Sequence, residues 1–179
     1  MADPGPSSTS NICGLSVEIV RRAGIWQRLA VSDAELARAA KAAFRAAPRP
    51  GKFAVTLALT DDKEMRALNR AWRGKDAPTN VLSFPGGVAP GLGEEPCPLG
   101  DVVLAAETIE REAEAQGIPF ADHVCHLVVH GVLHLLGFDH ESEADAATME
   151  SLETKVLAGL GIADPYAEPA AKDAAEVSP

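Results

Sequence analysis

Residues 126–140 read HLVVHGVLHLLGFDH. Four of the chain's five histidines lie in this segment, among valines and leucines that belong in a core. Each imidazole has two ring nitrogens that need partners, and burying them without partners costs free energy. Such a segment either satisfies its histidines internally or presents them to a ligand. His130 and His134 are four apart, so on a helix they project from one face with about 6 Å of rise between their Cα atoms. Gly137 follows, the residue best suited to a positive φ that turns the chain out of the helix. His140 then arrives six residues after His134, and the turn brings it back toward the same point.

The spacing HxxxHxxGxxH presents three neutral imidazoles and leaves a fourth position open, as catalytic zinc sites do; structural sites are closed by four protein ligands. No ligand cancels the charge of the dication, so a bound water is acidified and a substrate oxygen polarised. One Zn2+ at His130, His134 and His140 is the expected cofactor, and the same imidazoles accept nickel, copper or iron. His126 and His123 extend the stripe toward the N-terminus and are assigned structural roles. Cys125, one residue off the stripe, reads as a small buried hydrophobe. A zinc peptidase of this spacing carries Glu directly after the first His as its base, and here that position is Gly131. Gly131 costs the helix about 1 kcal/mol relative to Ala. It is expected to leave room beside the metal for a bulky group such as a phosphodiester, the alternative being close packing of a neighbouring strand.

Outward from this segment, Pro119 begins the His-bearing helix, and Ser142 starts a last helix with Met149, Leu152, Val156 and Leu160 on its buried face. Upstream, 15–20 and 53–59 alternate like strands, and Ser32 caps a helix over 33–46. Thr60 or Asp61 opens a helix to about residue 73 whose Met65, Leu68 and Trp72 share an apolar face. Arg66, Arg70 and Arg73 form a second stripe on that helix. Strands follow at 79–84 and 100–105, joined by a Gly/Pro-rich loop, and a helix spans about 106–116. This order predicts an α/β or α+β fold: a small mixed, mostly parallel four-stranded sheet packed with about five helices, the His-bearing one central.

The chain has 179 residues and the composition of one ordinary globular domain. Residues 1–11 and the acidic stretch 165–179 read as disordered tails flanking a single domain over 12–164. No leader or membrane-spanning segment is expected, which suggests a cytoplasmic protein with no membrane partner. Cys13, Cys97 and Cys125 are widely spaced, so neither disulfides nor a zinc ribbon is expected. The net charge is −10, but residues 21–75 hold thirteen of the sixteen Lys and Arg against five acids. A basic half beside an acidic half suits a polyanion bound on one face.

The sequence closely resembles the YbeY family of bacterial endoribonucleases, or rRNA maturation factors. The resemblance rests on HGVLHLLGFDH at 130–140, LNRAWRGKDAPTNVLSFP at 68–85, LGDVVLA at 99–105 and MESLETKVLAGLG at 149–161. It implies a single zinc ion at His130, His134 and His140, a functionally important arginine at Arg73, cleavage of single-stranded RNA, maturation of the 3′ end of 16S rRNA and ribosome quality control. Single-stranded RNA and small-subunit rRNA are the expected partners, with ribosomal proteins and a ribosome-assembly GTPase as further ones. Arg73 would pair with the non-bridging phosphate oxygens, with Arg66, Arg70 and Lys75 attracting the RNA backbone. Either a water or the RNA's own 2′-hydroxyl serves as nucleophile, and Asp139, Glu141 and Asp101 are candidates to orient a histidine or carry a proton. Two other readings are a non-catalytic zinc-containing ribosome-assembly factor and a metallopeptidase drawing its base from outside the helix.

Overall fold

The computed structural model describes residues 14–87 and 95–167. The expected N-terminal tail, Cys13, the middle of the Gly/Pro loop and the chain after residue 167 lie outside the described residues. In order, the elements are β1 (Gly14–Arg21), a short 3-10 turn (Gly24–Gln27), α1 (Asp33–Ala46), β2 (Lys52–Thr60), α2 (Asp62–Arg73), β3 (Val81–Pro85), β4 (Cys97–Ala105), α3 (Ala106–Gln116), α4 (Phe120–Leu135) and α5 (Glu143–Leu160).

The strands form a four-stranded sheet in the order β1-β2-β4-β3. β1, β2 and β4 run parallel, whereas β3 pairs antiparallel with β4. The expected mixed, mostly parallel sheet with five helices is therefore the observed fold. Local chemistry sets several boundaries. Ser32 and Glu35 form a reciprocal capping box at the start of α1, and the Asp61 side chain accepts from the Glu64 N–H at the start of α2. At the end of α4, Gly137 takes φ +96°, and its N–H and that of Phe138 donate to His134 and Leu133 carbonyls at 2.9 and 3.1 Å.

Period-2 alternation splits the sheet into two packed faces. Val55, Leu57, Leu59, Val102 and Leu104 join the main core with α1, α4 and α5, while Ala58, Leu82, Val103 and Ala105 meet Met65 of α2 on the other side. Helix α4 is apolar on nearly every side because helices and the sheet enclose it. Trp72 departs from expectation. Met65 is buried and Leu68 is partly buried, but two turns further on Trp72 is 70% exposed. The helix has outrun the apolar patch that its first turns cover.

Gly131 is also resolved, in favour of close packing. A Cβ at this position would lie 2.6 Å from Val102 Cγ1 and 3.1 Å from Ser83 Oγ, so the residue faces the sheet and makes no room beside the histidines. Ser83 also donates to the Gly131 carbonyl at 3.2 Å. Val102 is β-branched, fully buried and unable to swing away. Gly131→Ala should therefore lose stability despite its better helix propensity. We expect an overpacking cost of about 1–3 kcal/mol against a gain of about 1 kcal/mol, read as a lower midpoint in denaturant. A variant as stable as the parent would mean that α4 and β4 are not held this closely.

Candidate metal centre and active-site groove

Helix α4 carries His130 and His134 on one face, and the turn at Gly137 returns His140 to them. The ring centroids of His130 and His134 lie 4.5 Å apart, and that of His140 is 5.0 Å from His134 and 5.8 Å from His130. His130 Nε2 and His134 Nε2 face each other at 3.0 Å. The opposite nitrogen of each ring is committed: His130 Nδ1 donates to Glu153 Oε1 at 2.7 Å, and His134 Nδ1 to the Phe138 carbonyl at 2.9 Å. A carboxylate and a carbonyl only accept, so in the neutral rings both Nε2 atoms carry lone pairs, and these point at one another. Two lone pairs at that distance repel unless a cation lies between them. Nitrogens bound to one tetrahedral zinc stand roughly 3.3 Å apart, so the donor set suits a metal ion.

Burial, followed by the neighbouring His130, pushes the His134 pKa below its ordinary value, which favours the neutral ring a metal requires. Among the described residues, His134, Asp139 and His140 form a donor group whose ligand atoms lie within 4.8 Å of one another. This group can hold a metal ion, and His130 joins it through His134. Asp139 was expected only to orient a histidine or carry a proton. Its backbone position beside His140 puts it closer to ligand distance than that.

These residues line a cavity of about 490 Å³. Its other wall is β3, an edge strand, through Val81, Ser83 and Pro85, with Asn80 just before it. Arg73, at the end of α2, reaches the same cavity. The structure thus brings together Arg73 and three histidines that are 57 to 67 positions away in sequence.

The remaining expected RNA contacts separate. Arg66 closes onto Asp76 through two hydrogen bonds, Nε to Oδ1 at 2.9 Å and Nη2 to Oδ2 at 2.8 Å. This exposed ion pair engages its fork and braces the turn after α2. Arg70 and Lys75 are exposed outside the cavity wall and contribute charge at a distance. Asp101 is exposed on β4, two residues from Val103 and hence on the face opposite the histidines. Glu141 is exposed and does not line the cavity.

The family model for "Endoribonuclease YbeY" matches residues 26–161. The chain belongs to the YbeY endoribonuclease family. A relative from Alkalilimnicola ehrlichii named endoribonuclease YbeY is 53% identical over 142 residues, covering 79% of this chain and 85% of that one. Another of the same name, from Rhodopseudomonas palustris, is 46% identical over 171 residues, covering 92% and 87%. The solution structure of TM1509 from Thermotoga maritima shares the fold, with a TM-score of 0.51 and 21% identity, covering 86% of this chain and all of that one.

In this YbeY-family chain the most important residue missing from the sequence reading is Glu153. It is fully buried on α5 and accepts from His130 Nδ1, His126 Nε2 at 3.1 Å and the Tyr166 hydroxyl. Burial alone would raise its pKa, but those three hydrogen bonds outweigh burial and hold the carboxyl down at about 2. It is a permanently ionised acceptor that fixes the His130 tautomer. Residues 165–167, expected to begin a disordered tail, form a turn that sets Tyr166 against this carboxylate. His123 finds Glu112 at 2.8 Å, so both flanking histidines have carboxylate partners. Burial raises the Cys125 thiol to about 11, as befits an inert core residue.

Proposed function

We propose that the chain is a metal-dependent endoribonuclease cutting single-stranded RNA, with one Zn2+ at His130, His134 and His140 and with Arg73 on the reacting phosphate. The observation that carries this reading is the approach of His130 Nε2 and His134 Nε2 to 3.0 Å, with both Nδ1 atoms engaged elsewhere, in a cavity that Arg73 also lines. The relatives named endoribonuclease supply the substrate class. A metal held by His130, His134 and His140 would supply Lewis-acid chemistry, polarising a phosphoryl oxygen and acidifying water.

The chain's own residues do the remaining work. Glu153 and the Phe138 carbonyl hold two imidazoles in the tautomer that leaves Nε2 open. Arg73 presents a planar fork to the charge that builds on non-bridging oxygens. Asn80 and Ser83 shape the wall opposite the histidines and are themselves held in place, Asn80 by Glu112 and Ser83 by the Gly131 carbonyl. The absence of Glu at position 131, together with its packing against Val102, weighs against peptidase chemistry. On this reading the biological substrate is the 3′ end of 16S rRNA in the small ribosomal subunit of the cytoplasm, met with ribosomal proteins and an assembly GTPase and serving ribosome quality control. No described helix is long and apolar enough to cross a membrane.

A labelled single-stranded fragment of the rRNA 3′ end tests the proposal. Arg73→Ala should lower the cleavage rate by about 10²–10³ with unchanged metal content. Arg73→Lys should recover only part of it, because an ammonium cannot pair with two oxygens in one plane. Cleavage by Arg73→Ala at the parental rate would remove the arginine from the site. RNA binding without strand scission by any preparation would favour the assembly-factor reading.

A further inference from the structure

Trp72 is the most exposed large hydrophobic side chain among the described residues, at 70%. Among the described residues its one ring partner is Phe84, met edge to face with centroids 5.5 Å apart, which fixes the indole on one side and leaves most of it in water. Position gives this exposure its interest. Arg73, the next residue, lines the cavity with the histidines, and so do Ser83 and Pro85 on either side of Phe84. Because side chains alternate along β3, Phe84 and the Trp72 packed on it lie on the opposite face of this edge strand from the cavity. Arg73 and Lys75 beside them carry no ion pair among the described residues.

Single-stranded RNA offers two things to a surface: a row of phosphates, and base faces that no neighbouring strand occupies. Arginine suits the first and an exposed indole the second. We propose that Trp72 is a nucleobase-stacking platform, on which an unpaired base lies while the adjoining phosphate is held by Arg73. This proposal rests on the RNA reading above and deepens it by supplying a reason to select single strands, since a base within a duplex has both faces covered. Stacking tolerates any base, so the platform confers strandedness and register on the cut, with little sequence preference. It also corrects the apolar assignment made for Trp72 from helical spacing.

The chain has two tryptophans. Trp26 is 1% exposed and donates its indole N–H to the Thr60 carbonyl at 2.8 Å, so a soluble quencher such as acrylamide reaches Trp72 alone. The full chain is titrated with a short 2′-O-methyl oligoadenylate and with the same backbone lacking bases, following quencher access and binding anisotropy. We expect the oligoadenylate to shield Trp72. Trp72→Ala should weaken oligoadenylate binding by about five- to a hundredfold and leave binding of the abasic backbone unchanged, with Trp72→Phe recovering part of the loss. If Trp72→Ala binds oligoadenylate like the parent while Arg73→Ala binds poorly, the platform is wrong and the RNA reading stands. If neither oligonucleotide binds the parent protein, both fall together.

Discussion

Replacing His134 with alanine should remove the bound metal and lower RNA cleavage by about a thousandfold or more, with the fold intact. A Lewis acid that contributes several kcal/mol to a phosphoryl transition state, at about 1.4 kcal/mol per factor of ten, accounts for a loss of that size. The structural loss is small by comparison. His134 is only half buried, and the hydrogen bond it donates to the Phe138 carbonyl is worth about 1 kcal/mol. Elemental analysis after dialysis should find one ion per parent chain and none in the variant, with matching circular dichroism. A His134→Ala protein that still holds the ion, or that cuts at the parental rate, would move the centre to the Asp139 and His140 side of the cavity.

The second large effect belongs to Glu153→Gln. The carboxylate uses one oxygen for His130 and the other for His126 and Tyr166. An amide of the same shape has one oxygen and one NH2, so one of those donors must face another donor. If the NH2 meets His130, the ring relieves the clash by moving its proton from Nδ1 to Nε2, and its metal-binding lone pair is lost. Metal affinity should fall by about 10- to 100-fold, measured by competition with a chromogenic chelator. Stability should fall by about 1–3 kcal/mol from the unsatisfied buried donor. The substitution conserves volume, so no cavity explains the result. Parental metal affinity in this variant would mean that the His130 tautomer is not set from α5.

Much of this site can be read along the chain because its histidines lie within one helix and one turn, and the distances 130–134–140 are themselves the geometry. Cap residues such as Ser32 and Asp61 act within one helical turn, and they too are visible in one dimension. Glu153 was harder to see because its histidine partners lie on another helix, 23 and 27 residues away. A signal was nonetheless present: Glu153 interrupts the apolar stripe of Met149, Val156 and Leu160, and a charge on a buried stripe requires partners. Gly131 and Trp72 were misplaced for a different reason. Helical spacing gives the direction in which a side chain points, but whether a strand or open water meets it depends on where the sheet ends.

The position of β3 at the edge of the sheet also bears on self-association. Exposed edges commonly recruit a strand from another molecule. This one has five residues, ends in Pro85, which has no N–H to offer, and lies against the C-terminal half of α4. It is short and ends in a residue that cannot extend the ladder, so it offers little for another strand to pair with. At this edge the backbone wall of the groove can therefore stay open to a substrate while presenting little ladder for a second copy to extend.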